Sequence, residues 1–217
     1  MSLRDRVSVT RVETPEQREQ ALEVIRATYR DEKRWVGDEA GQLPPEDLER
    51  DDVSWFCAFV DDRPVGVLRV LYDPPLELYA KYGFELLDRG IDVEKFIKAH
   101  RIAEVGRFAV IPEYRKYIVV VAALMRAAST ETVARGYTHY ITDVFEDDPH
   151  SPYQFHTRVM GFEPVATHEV GELNSSSRRI TLVLDLKAAY RRLRAKGTWI
   201  YRFLTEGWDE GLHRRLV

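Results

Sequence analysis

The sequence has a single cysteine, Cys57, among its 217 residues. A lone cysteine closes no disulfide within the chain, which excludes the framework of small secreted proteins and favours a reducing compartment. Long apolar stretches are also lacking. The N-terminus leads into no signal-like segment, and the longest apolar run, Tyr117 to Met125, is about half the length of a membrane-spanning helix. We therefore expect a cytoplasmic protein with no integral membrane segment.

Basic charge is not in excess, because 32 Lys and Arg residues stand against 36 Asp and Glu residues. This balance argues against a general nucleic-acid-binding protein. The six histidines show no H-x-H or H-E-x-x-H spacing, so we expect no metal site. Linkers rich in Gly, Ser or Pro and internal repeats are lacking too. We therefore predict one domain over residues 1–186, with a helical extension over 187–217 packed on that domain.

Two helices carry clear terminal signals. Thr14, Pro15 and Gln17 form a capping box before a helix that we expect to run to about Arg34. A longer helix is predicted from about Pro112 to residue 135, where Gly136 ends it. The middle of this second helix is apolar all round, which is typical of a helix covered on most sides.

Strands are predicted where apolar or alternating segments are bounded by turn residues. The first hairpin joins residues 55–60 and 65–71 through the polar turn Asp61-Asp62-Arg63-Pro64. Further strands are expected at residues 7–12, 102–111, 137–145, 162–167 and 179–186. Together with the helices, this order predicts an α/β fold with a mixed sheet.

The strand that ends at Val110 leads directly into the long helix, whose first residues include Arg115 and Lys116. A helix N-terminus offers unpaired N–H groups and the positive end of a dipole, which suits a phosphate. Basic residues are also common on ordinary helix surfaces, so a surface role is the alternative.

The segment Ala109-Val110-Ile111-Pro112-Glu113-Tyr114-Arg115 resembles the strand-to-helix entry of the GNAT superfamily of CoA-dependent N-acyltransferases. Thr157-Arg158-Val159-Met160-Gly161-Phe162 is similar to the Tyr-x-x-x-Gly-Phe phrase near the end of that fold. The resemblance covers residues 5–186 in element order. It implies a mixed, mostly antiparallel sheet flanked by helices, in which the fourth and fifth strands splay apart.

In that superfamily the pantetheine arm of the thioester lies in the splay and the pyrophosphate sits on the helix start. The resemblance therefore implies a binding segment for acyl-CoA, acetyl-CoA or another phosphopantetheine thioester. Its candidate residues are Phe108, Ala109, Val110, Arg115, Lys116, Tyr117, Ile118, Val119 and Val120.

Two positions depart from the superfamily pattern. Ile118 and Val120 stand where the pyrophosphate loop usually has glycines, and β-branched side chains hinder the close approach of backbone to phosphate. Thr157 stands where a tyrosine often protonates the leaving thiolate. Tyr153 and His156 are nearby candidates for that acid.

Both departures favour one branch of the superfamily. Glu104-Val105-Gly106-Arg107-Phe108 resembles the Glu-x-x-Arg-Phe strand of acyl-homoserine-lactone synthases and of long-chain N-acyl amino acid synthases. Upstream of this strand, Arg26, Trp35 and Arg69 resemble the Arg, Trp and Arg motif positions of those synthases in order and spacing. Those enzymes take a fatty acyl chain from acyl carrier protein, which presents a phosphopantetheine arm and needs no full pyrophosphate loop.

Each candidate side chain has a functional and a structural interpretation. Glu104, on an otherwise apolar strand, is the expected general base, or else an ion-pair partner of a nearby arginine. Arg69 and Arg107 are expected to contact substrate or carrier, or to form fold-stabilising bridges. Arg26 and Trp35 are expected at the substrate entry, where packing is the alternative role of the tryptophan.

These observations predict an N-acyltransferase that moves an acyl group from acyl carrier protein or CoA to an amine, such as an amino acid. One alternative is an ordinary acetyl-CoA-dependent GNAT acetyltransferase. Another is a catalytically inactive module that binds acyl thioesters. The aromatic residues 199–208 also leave open a homodimer formed through the C-terminal tail.

Overall fold

The computed structural model describes residues 2–77, 81–90 and 92–217. Its strands are β1 (Val7–Arg11), β2 (Val53–Val60), β3 (Arg63–Tyr72), β4 (Glu85–Leu86), β5 (Ile102–Val110), β6 (His139–Phe145), β7 (Glu163–His168) and β8 (Arg179–Asp185). Its α-helices are α1 (Leu3–Arg6), α2 (Pro15–Ile25), α3 (Val93–Ala99), α4 (Ile118–Ala134), α5 (Leu186–Lys196), α6 (Trp199–Leu204) and α7 (Glu210–Arg215). Two π-helices, Arg26–Glu32 and Phe155–Met160, and three short 3₁₀ turns complete the secondary structure of these residues.

The chain divides into two compact units. The first comprises Met1–Leu71, Val105–Glu131 and Arg202–Gly207, and the second comprises Tyr72–Glu104, Thr132–Tyr201 and Trp208–Val217. Strand β5 contributes residues 105–110 to the first unit and residues 102–104 to the second. The boundary predicted between residues 186 and 187 stays a prediction.

In the first unit the strand order is β1-β2-β3-β5. The predicted hairpin is confirmed: β2 and β3 are antiparallel and joined by Asp61 and Asp62, whose φ angles are 47° and 65°. Two successive left-handed residues are typical of the two-residue turn that matches the right-handed twist of a hairpin.

The capping box of α2 is confirmed, because Thr14 Oγ1 accepts a hydrogen bond from the Gln17 amide at 3.2 Å and Gln17 Oε1 accepts one from the Thr14 amide at 3.1 Å. Helical structure continues past Ile25 toward the predicted end at about Arg34, but as a π-helix over Arg26–Glu32 instead of an α-helix. Thr28 Oγ1 donates to the Val24 carbonyl at 2.7 Å, and such side-chain bonds compete with the helical ladder.

The long helix α4 begins at Ile118, later than predicted, because Pro112–Tyr114 forms a separate 3₁₀ turn. Its middle is covered on most sides, as expected: Val120, Ala122, Ala123, Leu124, Met125 and Ala128 are all buried. No helix within residues 2–77, 81–90 and 92–217 is both long and apolar enough to cross a membrane.

In the second unit the strand order is β5-β6-β8-β7-β4. Strands β5 and β6 pair in parallel over residues 102–104 and 139–141, although β5 continues to Val110 and β6 to Phe145. The pairings β6–β8, β7–β8 and β4–β7 are antiparallel. Strands β5 and β6 correspond to the fourth and fifth strands of the sequence analysis, in which β4 was not predicted. The mixed, mostly antiparallel α/β fold is confirmed.

The aromatic tail packs partly on the second unit itself. The rings of Tyr190 and Trp208 stack at 6.3 Å, and Tyr190 Oη lies 2.8 Å from His213 Nδ1. Trp199 remains 45% exposed. Dimerisation through this tail stays a prediction.

Candidate active site

The predicted site residues fall into two groups by unit. The first unit holds the residues expected to bind substrate and thioester: Arg26, Trp35, Arg69, Arg107, Phe108, Ala109, Val110, Arg115, Lys116, Tyr117, Ile118, Val119 and Val120. The second unit holds the three expected catalytic residues, Glu104, Tyr153 and His156.

Arg107 interrupts β5 with a left-handed backbone conformation, φ 49°. Non-glycine residues rarely adopt this conformation inside a strand, and such residues cluster at functional sites. This conformation interrupts the regular alternation of side chains along β5, so strand periodicity alone does not say whether Arg107 shares a face with Glu104. Both side chains are half-buried.

The end of β5 lies very close to β3. A Cβ atom at Gly66 would lie 3.2 Å from the Ala109 carbonyl oxygen and 3.1 Å from Leu124 Cδ1. The Ile111 amide donates to the Val65 carbonyl at 2.9 Å just beyond this point. Glycine at position 66 thus permits the approach that fixes the Phe108–Val110 backbone.

Arg115 is held at the start of the long helix by two partners. Its Nε donates to the Val110 carbonyl at 2.8 Å, and its Nη1 donates to Glu32 Oε1 at 2.6 Å. The second terminal nitrogen contacts Glu32 Oε2, which makes the pair bidentate. Sequence reasoning missed Glu32, because 83 residues separate it from Arg115. Much of the positive charge of Arg115 is therefore neutralised within the protein.

Residues 116–120 place one basic and several apolar side chains at the start of α4. Lys116 is exposed, and its Nζ lies 5.1 Å from the centre of the Tyr117 ring. Tyr117 and Ile118 are 38% and 42% exposed, Val119 is half-buried and Val120 is buried. Lys116 is thus an exposed basic side chain at this helix start, and the isoleucine side chain at position 118 stands where the superfamily pattern usually has a glycine.

Arg26 binds a carboxylate that the sequence analysis did not single out. Its Nε donates to Glu39 Oε1 at 2.7 Å, and Arg30 Nη1 donates to Glu39 Oε2 at 2.8 Å. The hydrogen bond from Arg26, reinforced by Arg30, lowers the pKa of Glu39 to about 2. Arg26 lies on the π-helix and Glu39 in the following loop, so no local pattern marks the pair.

Trp35 and Arg69 occupy half-buried positions in the first unit. The Trp35 ring packs edge-on against Tyr29 at 5.3 Å, and Lys33 Nζ lies 5.6 Å from its centre. Arg69 is opposite Trp55 in the β2–β3 register. The contacts of Trp35 are those of a packed aromatic side chain, which was its alternative interpretation.

The two candidate acids differ in environment. His156 is fully buried between the rings of Phe155 and Phe162, at 5.8 and 4.7 Å, and burial lowers its pKa to about 3. A histidine with this pKa is neutral near pH 7. Tyr153 is half-buried, and its carbonyl accepts a hydrogen bond from Thr157 Oγ1 at 2.8 Å. Of the two, Tyr153 is therefore the better candidate for the acid.

In the part of the chain that the structure describes, no group of three or more His, Cys, Asp or Glu side chains is arranged to hold a metal ion.

A family model described as "N-acyl amino acid synthase FeeM" matches residues 20–173, more than half of the sequence. The chain belongs to the FeeM family of N-acyl amino acid synthases. It is therefore an acyltransferase, and its fold is that of solved GNAT-family structures. Among curated protein sequences, none matches the chain.

Solved structures similar to this FeeM-family chain share its fold. FeeM from uncultured soil microbes has a TM-score of 0.65 and 18% identity, covering 89% of this chain and 97% of its own. A GNAT-family protein from Desulfovibrio desulfuricans has a TM-score of 0.57 and 15% identity, covering 82% and 98%. Aminoglycoside 6'-N-acetyltransferase complexed with coenzyme A has a TM-score of 0.54 and 14% identity, covering 82% and 96%.

Proposed function

We propose that this chain transfers an acyl group from a phosphopantetheine thioester to the amino group of an amino acid. Membership of a family described by N-acyl amino acid synthesis supports the acceptor class. The Glu-x-x-Arg-Phe sequence of β5, with its left-handed Arg107, supports a specialised thioester-binding strand in the same chain.

The proposed donor is acyl carrier protein rather than CoA. The observation that carries this choice is the start of α4, where Glu32 engages Arg115 and the exposed Ile118 stands at a glycine position. A carrier protein presents one phosphate, for which exposed Lys116 suffices, whereas CoA adds a 3'-phosphorylated adenosine nucleotide whose 5'-phosphate extends that phosphate to a pyrophosphate. A CoA complex in the aminoglycoside acetyltransferase makes CoA the competing donor.

In the proposed mechanism, Glu104 takes a proton from the acceptor ammonium group, and the freed lone pair attacks the thioester carbonyl. Backbone N–H groups near Phe108–Val110 stabilise the developing oxyanion. The C–N bond forms first, and collapse of the tetrahedral intermediate then breaks the C–S bond. Tyr153 donates a proton to the departing thiolate and regains one from the new nitrogen, which leaves a neutral amide. Arg69 and Arg107 bind the carboxylate of the acceptor.

The test uses the purified full chain with a mixture of the standard L-amino acids. Decanoyl carrier protein, decanoyl-CoA and acetyl-CoA are supplied in separate reactions in one buffer, and products are identified by mass spectrometry. We expect N-decanoyl amino acids, formed most efficiently from the carrier protein. Efficient acetyl transfer with tight acetyl-CoA binding would instead identify an ordinary acetyltransferase, and tight thioester binding without product would identify a binding module.

Glu104→Gln tests the base in the same assay. The substitution keeps the shape of the side chain and removes its basicity, so turnover should fall about 10²–10⁴-fold. The matched control is Glu94→Gln on α3, an exposed carboxylate paired with Lys98. Turnover of Glu104→Gln equal to that of the control would remove Glu104 from the mechanism.

A further inference from the structure

Asp143 lies on the same sheet face as Glu104. Glu104 is paired with Ile141 in the parallel β5–β6 register, so their side chains share a face. Asp143 is two residues beyond Ile141 on β6 and returns to that face, about 7 Å further along the strand. It lies past the three-residue pairing with β5.

Side chains from two other strands, β8 and β7, contact the carboxylate of Asp143. Thr181 Oγ1, directly opposite on β8, donates to Asp143 Oδ1 at 2.6 Å. His168 Nε2, on β7, lies 3.1 Å from Asp143 Oδ2. The Asp143 side chain is nevertheless 28% exposed, whereas that of His168 is fully buried. Thr181 and His168 thus hold the carboxylate on one side, and its remaining surface is accessible to solvent.

His168 is placed so that both ring nitrogens face acceptors. Its Nδ1 lies 2.7 Å from the Val170 carbonyl oxygen, and its Nε2 faces Asp143. Only a doubly protonated imidazolium donates in both directions. Burial by itself would lower the pKa of His168, and Arg179 opposes its charge, but the bonds to Asp143 and the Val170 carbonyl raise the pKa overall. The Tyr82 ring stacks on it at 5.8 Å.

We propose that Asp143 binds the ammonium group of the amino acid acceptor, and that buried His168 and Thr181 are positioning residues that orient its carboxylate. This inference rests on the proposed function, since it supplies a recognition group for the acceptor of that reaction. Asp143 holds the incoming cation on the face that carries Glu104, and Glu104 removes the proton that frees the lone pair. Analogues of amino acids without the amino group therefore lack the ammonium that Asp143 would bind.

The test measures steady-state kinetics of the full chain with decanoyl carrier protein and the amino acid that wild type acylates best. Asp143→Asn should raise the acceptor KM about 10–100-fold, as expected for loss of a charge-assisted hydrogen bond, with the donor KM unchanged. His168→Gln should change the acceptor KM in the same direction. Glu163→Gln, an exposed carboxylate on β7, is the matched control and should match wild type.

Asp143→Asn removes the carboxylate beside buried His168, so the double variant Asp143→Asn/His168→Gln replaces both partners if the single variant fails to fold. An acceptor KM that stays at the wild-type value, or acceptor and donor KM values that rise together, would overturn the inference alone. Wild-type protein that forms no N-acyl product would overturn the proposed function and this inference with it.

Discussion

Arg107 has a backbone conformation that is costly for an arginine. A non-glycine residue in the left-handed region costs about 1–2 kcal/mol, and here it lies inside a strand. The pattern Glu-x-x-Arg-Phe drew attention to the residue through its resemblance to a family strand. Nothing in the local sequence indicated the conformation, because tertiary packing imposes it against the propensity of arginine.

The strain at Arg107 predicts an inverted order of stability for two variants. Arg107→Gly adopts the left-handed conformation freely, so it should be about 1 kcal/mol more stable than Arg107→Ala in equilibrium urea unfolding. Arg69, a half-buried strand arginine without a positive φ, is the control site, where alanine should be the more stable replacement. Equal stability of the two variants at position 107 would mean that no strain is stored there.

Local chemistry explains which elements the sequence predicts well. The capping box at Thr14, the Asp61-Asp62 turn and the glycine after the long helix depend on neighbours within four residues, and all three are present. Strand β4, α3 and the π form of two helical segments were not predicted, since they depend on distant partners or on weak patterns. The same distinction applies to the site. Arg115 was identified because it lies at the start of a predicted helix, whereas Glu32 and Glu39 were identified only from their contacts with Arg115 and Arg26 in the folded chain.

Gly66 connects the packing of β3 to the thioester strand. In Gly66→Ala the new methyl group would meet the Ala109 carbonyl oxygen at 3.2 Å, and a backbone atom cannot rotate away. We expect a loss of about 1–3 kcal/mol in free energy of unfolding and a higher donor KM, because β5 must shift. Gly37→Ala is the control, since its Cβ would meet open space. A destabilised variant with an unchanged donor KM would separate this packing from thioester binding.

At the scale of the whole molecule, stability should fall in acid. Burial lowers the pKa of His156 from 6.5 to about 3, so the unfolded chain binds more protons than the folded chain between these values. Arg26 lowers the pKa of Glu39 from 4.5 to about 2, which adds a second loss as pH falls through that window. Both shifts destabilise the folded chain at low pH.

Glu39→Gln removes the second contribution. Melting temperatures measured from pH 7 down to pH 3 should fall less steeply for this variant below pH 4.5, although its value at pH 7 should be lower because two ion pairs are lost. Glu49→Gln, an exposed carboxylate in the same unit, should follow the wild-type curve. Parallel curves for Glu39→Gln and wild type would show that Glu39 does not contribute to acid lability.

The π-helix Phe155–Met160 changes which residue lies one turn before Gly161. In an α-helix, four residues before Gly161 is one turn back, and that count selects Thr157 as the counterpart of the family tyrosine. Here the Gly161 amide bonds the carbonyl of His156, five residues back, as a widened turn requires. One turn back from Gly161 therefore leads to His156 and not to Thr157, so a count of four residues does not identify the residue that faces the same way as Gly161.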